Sequence, residues 1–138
     1  MSIKSSKTLV EEATKEIKTL KIEEVKDLID KKNCTLVDLR DIRELYNEGG
    51  VGGALHIPRG VLEFWVDKES PYYQENKFSP DKNIVLFCTL GSRSALGAKA
   101  LQDMGFKNVA HVEGGYRAMA ASGKFQLMKI KKIKKKNK

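Results

Sequence analysis

The stretch FCTLGSRS, residues 87–94, is the part of the sequence best suited to chemistry. Cys88 follows the apolar run from Ile84 to Phe87, which is typical of a buried strand. Four residues separate Cys88 from Arg93, and a helical pattern of small residues begins at Ser92. A glycine-containing loop of this kind can turn successive backbone N–H groups toward one point and bind an anion there. Together with the helix N-terminus, and with Arg93 if it points inward, these groups favour the thiolate of Cys88, the nucleophilic form of cysteine.

A free cysteine at the end of a strand is often a space-filling residue and nothing more. Here the strand, Cys88, the loop, Arg93 and the helix follow one another in the order that a nucleophilic site requires, so the sequence favours catalysis. Cys34 precedes a strand and lacks such a loop. We interpret it as a core or boundary residue, with disulfide formation to Cys88 as the alternative. His56 and His111 lie in apolar strands and are interpreted as structural.

The elements that must position Cys88 alternate between strands and helices. The pattern predicts strands at residues 17–21, 35–39, 54–57, 84–88 and 109–112. It predicts helices at 8–16, 22–31, 42–47, 61–66 and 92–104, and a last one from the Gly114–Gly115 pair to near Gly123. Such alternation indicates an open, mainly parallel sheet with helices on both faces. Ligands bind such sheets beyond the carboxyl ends of the strands, which is where Cys88 lies.

Length and composition narrow the class of protein. The chain of 138 residues suits one domain, and no apolar stretch approaches the roughly 18 residues of a membrane span. Its first residues lack the apolar core of a signal peptide, and two cysteines suit a reducing compartment, so we expect a cytoplasmic location. No Cys/His cluster, dinucleotide fingerprint or P-loop is present, so neither a metal nor a cofactor is expected.

The net charge of +8 comes from the end of the chain. Residues 124–138 hold eight lysines and no acidic residue, which leaves 18 basic residues against 18 acidic ones in residues 1–123. We interpret 124–138 as a disordered, solvated tail that follows a domain at 1–123. A contact with an anionic membrane surface or with nucleic acid is the alternative, and no specific nucleic acid partner is expected.

Three segments carry a resemblance to a known family: LVDLRDIREL, GALHIPRG, and the run from IVLFCTLGSRS through GFKNVAHVEGGYRAM. From about Ile17 to Gly123 the chain resembles the rhodanese-like domain. The resemblance implies a three-layer α/β fold with a five-stranded, mainly parallel sheet. It also implies an enzyme, a single-domain thiosulfate sulfurtransferase. Its partners would be a small anionic sulfur donor and an acceptor that is cyanide, a thiol or a protein cysteine.

Position by position, the resemblance assigns Cys88 as the nucleophile that carries sulfur as a persulfide, with Arg93 facing the anion or bracing the loop. Further candidates are the loop residues Thr89, Leu90, Gly91, Ser92 and Ser94, the supporting residues Asp38, Arg40, Gly114 and Gly115, and two aromatic residues, Phe64 and Trp65. The two aromatic residues either line the pocket mouth or pack in the core.

The resemblance leaves two alternatives open. Cysteine phosphatases of the same fold have five residues between cysteine and arginine, whereas this chain has four. Non-catalytic binding modules of the family generally lack the cysteine, which is present here. The chain also departs from the family at GGVGGA, residues 49–54, where the usual His and Pro are missing, so no acid–base role is assigned to that segment.

Overall fold

The computed structural model describes residues 2–74 and 81–132 of the chain. The helices are α1 (Ser6–Glu16), α2 (Ile22–Asp30), α3 (Ile42–Glu48), α4 (Leu62–Val66), α5 (Ser92–Asp103) and α6 (Gly115–Ser122), with a 3₁₀ turn at Arg59–Val61. The strands are β1 (Lys18–Leu20), β2 (Cys34–Asp38), β3 (Gly50–Val51), β4 (Leu55–His56), β5 (Asn83–Phe87), β6 (Val109–Val112) and β7 (Leu127–Met128). Every predicted helix and strand is present, with ends that shift by a few residues.

Five of these strands form one parallel sheet in the order β1-β6-β5-β2-β4. This arrangement confirms the predicted mainly parallel sheet, and it places β1 at one edge. Strand β5 lies at the centre and pairs with β2 from Cys34↔Asn83 to Asp38↔Phe87. Because all five strands run the same way, the chain that follows β5 shares one edge of the sheet with the chain that follows β2.

Alternate residues of β5 face opposite sides of the sheet, as the two-residue period of a strand requires. Ile84 and Leu86 belong to a core that includes residues of α1, α4 and α5. Val85 and Phe87 belong to a second core with residues of α2 and α6. Helices therefore cover both faces, which explains why β5 is apolar from Ile84 to Phe87.

A second, two-stranded sheet pairs β3 with β7 in antiparallel register, Gly50↔Met128 and Val51↔Leu127. Strand β7 lies within the segment that we expected to be disordered from residue 124 onward. That expectation is wrong for Leu127–Met128, because backbone pairing with β3 and the packing of Phe125 against the second core hold this part of the chain. Residues 133–138 of the predicted tail lie outside the described residues.

None of the helices within residues 2–74 and 81–132 has both the length and the apolar composition of a membrane-spanning segment.

Candidate active site

The loop between β5 and α5 wraps around the sulfur of Cys88. Gly91 N–H donates to Sγ at 3.2 Å, and Ser94 N–H donates to it at 3.4 Å. Gly91 has a φ of 127°, a conformation that L side chains rarely adopt, so a glycine suits this point of the loop. Cys88 itself is only 1% exposed. The loop thus presents main-chain donors to a sulfur that is largely shielded from bulk water.

The N-terminus of α6 fixes the first part of this loop from behind. Tyr116 N–H donates to the Cys88 carbonyl oxygen at 2.7 Å, and Arg117 N–H donates to the Thr89 carbonyl oxygen at 3.2 Å. Gly114 and Gly115 allow this approach with φ values of 75° and 60°. A Cβ on Gly115 would meet the Cys88 carbonyl oxygen and would lie 2.6 Å from that of Thr89. With the carbonyl groups bound on that side, the loop N–H groups are left to face the sulfur.

Arg93 reaches Glu44 of α3. Its Nη1 and Nη2 donate to the two Glu44 carboxylate oxygens at 2.6 and 3.0 Å, and Nη2 also lies 3.2 Å from Thr89 Oγ1. Thr89 donates to Glu44 Oε2 at 2.7 Å. Of the two roles considered for Arg93, this geometry matches bracing of the loop.

Glu44 was not recognised from the sequence, although it combines two functions in the structure. It caps α3 by accepting a hydrogen bond from Asp41 N–H at 3.1 Å, a role that the spacing of Asp41 and Glu44 does signal. The Arg93 guanidinium, more than Thr89 or the Asp41 amide, lowers the pKa of Glu44 from 4.5 to about 2, although burial works in the opposite direction. Glu44 therefore remains a carboxylate and holds the loop against α3.

Asp38 and Arg40 form a buried ion pair at the carboxyl end of β2. Arg40 Nε and Nη2 donate to the carboxylate at 3.0 and 2.8 Å, and Arg40 Nη2 also donates to the Gly49 carbonyl oxygen at 2.8 Å. The guanidinium lies 3.9 Å from the centre of the Tyr116 ring. Tyr116 N–H donates to the Cys88 carbonyl oxygen, so the Asp38–Arg40 pair supports the loop indirectly, through Tyr116.

The other predicted site residues occupy different environments. Leu90 is 63% exposed at the tip of the loop and Ser92 is exposed, whereas Ser94 is fully buried below Cys88. Trp65 packs against the core shared by α1, α4 and α5. Phe64 is exposed and lies edge-on to Tyr72 at 6.4 Å. Of the two interpretations of these aromatic residues, Trp65 therefore fits the core.

Cys34 is remote from Cys88. It opens β2 beside Asn83, the first residue of β5, whereas Cys88 follows the last residue of β5. At about 3.3 Å per residue, the two cysteines lie roughly 16 Å apart, and a disulfide needs Cα atoms within about 7 Å. Cys34 lines a cavity of about 300 Å³ at the amino ends of the strands. Burial raises the pKa of its thiol. The core or boundary interpretation of Cys34 matches this position.

The arrangement around Cys88 is suited to nucleophilic chemistry with an anionic intermediate. The N–H groups that contact Sγ belong to the loop and to the first turn of α5, and the partial positive charge of that helix end adds to their effect. Such donors are fixed before reaction and stabilise negative charge without rearrangement.

Comparison with known proteins gives one family match. The model of the rhodanese-like domain matches residues 21–122. A tRNA uridine(34) hydroxylase of Photorhabdus laumondii is 33% identical over 116 residues, which cover 84% of this chain but 32% of that enzyme. The chain thus spans about a third of the length of the curated relatives it matches.

Solved structures that are similar in fold include the following two. A protein of unknown function from Rhodopseudomonas palustris CGA009, described as a possible tyrosine phosphatase, superposes with a TM-score of 0.82 and 39% identity. The match covers 89% of this chain and 94% of that one. The human single-domain sulfurtransferase TSTD1 gives a TM-score of 0.65 and 27% identity, with 75% and 95% covered.

Proposed function

Because the chain belongs to the rhodanese-like domain family, we propose that it is a sulfurtransferase that carries sulfane sulfur on Cys88 as a persulfide. The proposed donor is thiosulfate or another small anion with a sulfane sulfur. The proposed acceptor is cyanide, a thiol or a protein cysteine.

The reaction is a double displacement. The Cys88 thiolate attacks the outer sulfur of thiosulfate, a new S–S bond forms, and the bond between that sulfur and the sulfonate group breaks. Sulfite leaves with the bonding electron pair, and the persulfide keeps one negative charge. The acceptor then attacks the outer sulfur and returns Cys88 as a thiolate.

One observation carries this proposal: Cys88 Sγ lies within hydrogen-bonding distance of the N–H groups of Gly91 and Ser94, in a loop with four residues between Cys88 and Arg93. These donors suit a thiolate and a persulfide anion alike. Arg93 forms an ion pair with Glu44, so we assign it to bracing the loop. The backbone N–H groups are then the donors that stabilise negative charge on the sulfur.

Intact-mass spectrometry after incubation with thiosulfate tests the proposal. We expect the wild-type protein and Cys34→Ser to gain the mass of one sulfur atom and to lose it on addition of cyanide. Cys88→Ser should gain nothing. Absence of the adduct on folded Cys34→Ser protein would contradict sulfur transfer and favour a non-catalytic binding module.

A cysteine phosphatase is the second candidate, because the relative from R. palustris is described as a possible tyrosine phosphatase at 39% identity. The short loop argues against it, since a tetrahedral phosphate group needs a wider cradle than a single outer sulfur. We expect no turnover of an aryl phosphate above the background measured with Cys88→Ser. Turnover by the wild type that is lost in Cys88→Ser would establish the phosphatase instead.

The name of the curated relatives raises RNA as a substrate class. Because this chain spans about a third of those enzymes, we do not extend their hydroxylation to it. The acceptor assay therefore begins with cyanide and small thiols. Transfer of labelled sulfur from Cys88 to RNA, in place of these acceptors, would change the assigned acceptor without changing the role of Cys88.

A further inference from the structure

A chain of hydrogen bonds links Cys88 to the edge of the sheet. Cys88 Sγ lies 3.6 Å from Ser94 Oγ, which lies 2.9 Å from His111 Nδ1, and His111 Nε2 lies 3.0 Å from Thr19 Oγ1. Ser94 is fully buried and His111 is 5% exposed. Thr19, by contrast, is exposed on β1, the edge strand. These hydrogen bonds therefore connect the shielded sulfur atom with solvent through side chains of α5, β6 and β1.

We propose that this series of hydrogen bonds is a proton relay for Cys88. The Ser94 hydroxyl contacts the reacting sulfur, and His111 is the residue that positions that hydroxyl. The proposal rests on the proposed function only in taking Cys88 as the nucleophile.

The same four side chains satisfy two states of Cys88 without moving. In the thiol state, Cys88 donates to Ser94, Ser94 donates to His111 Nδ1, and His111 Nε2–H donates to Thr19. In the thiolate state every bond is reversed: Thr19 donates to Nε2, Nδ1–H donates to Ser94, and Ser94 donates to the Cys88 sulfur. A neutral imidazole has one donor and one acceptor nitrogen, so its two tautomers match the two states.

Passage between these states conserves protons. The thiol proton passes from Sγ to Ser94 Oγ, and the hydroxyl proton of Ser94 passes to Nδ1. The proton on Nε2 passes to Thr19, and the hydroxyl proton of Thr19 leaves to solvent water. One proton is released, the Cys88 thiolate remains, and His111 changes tautomer without gaining charge.

The surroundings of His111 keep it neutral. Burial lowers the pKa of its imidazole, and among the described residues no charged side chain adds to that effect. Thr19 faces the ring from β1 and Ser94 faces it from α5, and a Cβ added to Gly91 would lie 3.8 Å from its Cε1 atom. Arg93, the charged group that interacts with Cys88, is paired with Glu44. An imidazolium would donate from both nitrogens and could not accept from Ser94 or Thr19.

Ser94 has a second acceptor within reach, which the relay does not need. Its Oγ lies 3.1 Å from the Gly91 carbonyl oxygen, but that oxygen already accepts Ala95 N–H at 3.0 Å. The hydroxyl proton can therefore turn to His111 or to Cys88 without leaving a buried carbonyl unsatisfied.

The test is the pH dependence of Cys88 alkylation by iodoacetamide, a neutral reagent, in the Cys34→Ser protein. We expect Ser94→Ala and His111→Leu each to move the midpoint of the rate profile upward by about one pH unit, because the thiolate loses a hydrogen-bond donor or its positioning. His111→Asn, whose amide can still donate to Ser94, should recover much of that shift. His56→Leu removes a strand histidine that binds Arg40 O instead, and should leave the midpoint unchanged.

Thermal melts establish that each variant is folded. An unchanged midpoint in folded Ser94→Ala or His111→Leu would overturn the relay. If both variants fail to fold, substitutions of Thr19, at the solvent end of the relay, provide the test. Thr19→Val should raise the midpoint and Thr19→Ser should not. Equal midpoints in these two variants would overturn the relay. Alkylation does not depend on sulfur transfer. If the protein accepts sulfur but these shifts are absent, the relay is wrong and the proposed function is unaffected.

Discussion

At the level of single residues, the charge near Cys88 is balanced before any substrate binds. Arg93 Nη1 and Nη2 both contact the Glu44 carboxylate, so the guanidinium charge is shared with a carboxylate. The N–H groups of Gly91 and Ser94 are then the main groups that stabilise an anion at Sγ. Glu44 acts through Arg93 and Thr89, and it is a positioning residue for the loop.

The low pKa of Glu44 makes stability depend on pH. Its folded-state pKa is about 2, against an ordinary value of 4.5, chiefly because of Arg93. A carboxylate with a depressed pKa adds stability above its unfolded pKa and loses that contribution as pH falls through the folded value. Between pH 4.5 and 2, the wild type should therefore lose more stability than Glu44→Gln, as measured by urea midpoints.

The Arg59–Glu63 pair provides a matched control for this measurement. It is similarly exposed, with side chains 29% and 38% accessible, but it has one contact at 2.6 Å and does not touch the loop. Glu63→Gln should follow the wild-type pH dependence more closely than Glu44→Gln does. Equal pH dependence of the wild type and Glu44→Gln would show that the loop does not rely on this carboxylate.

At the level of elements, the loop after β5 depends on the start of α6, which lies more than twenty residues later in the chain. Two backbone N–H groups of α6 bind the carbonyl oxygens of Cys88 and Thr89. The Gly114–Gly115 turn allows the helix to begin that close to the loop. A change in this turn should therefore alter the loop around Cys88 as well as the stability of the protein.

Gly115→Ala tests this coupling. The new Cβ would meet two backbone carbonyl groups in a residue with a φ of 60°. We expect a loss of roughly 3 kcal/mol or more in unfolding free energy, which places it among the severe single substitutions. Gly123→Ala is the control, because Gly123 has a φ of 69° but nothing near its Cβ position. It should cost only about 1–2 kcal/mol for the left-handed conformation. Equal losses of unfolding free energy in Gly115→Ala and Gly123→Ala would show that α6 does not pack closely against the loop.

The elements that the sequence predicts well are those with a strong local signal. The five residues of β5 are nearly all apolar, and α5 begins directly after Gly91, so both could be placed from the sequence. Glu44 could be predicted as a helix cap but not as the partner of Arg93, because they are 49 positions apart and their contact depends on the packing of α3 beside the loop. The link from Ser94 to His111 was missed for the same reason.

At the level of the whole molecule, the charge balance of the sequence gives a misleading boundary. The excess of lysine begins at residue 124, but the described structure continues through β7. A two-residue strand has no periodicity that a sequence pattern could reveal, and its partner β3 is equally short. Composition separates residues 124–138 from the rest, whereas backbone pairing joins Leu127–Met128 to the domain.

A chain that ends at Gly123 tests how much this attachment contributes. It should still fold and accept sulfur from thiosulfate, because β7 is not part of the five-stranded sheet and the hydrogen bonds to Cys88 come from Gly91, α5 and α6. It should melt below the full-length protein by roughly 3–10 °C, since it loses the β3–β7 pairing and the partly buried Phe125, together worth about 1–2 kcal/mol. Phe125→Ala in the full-length chain should account for part of that decrease. An unchanged melting temperature would mean that β7 contributes nothing to stability, and an unfolded protein would mean that the domain requires it.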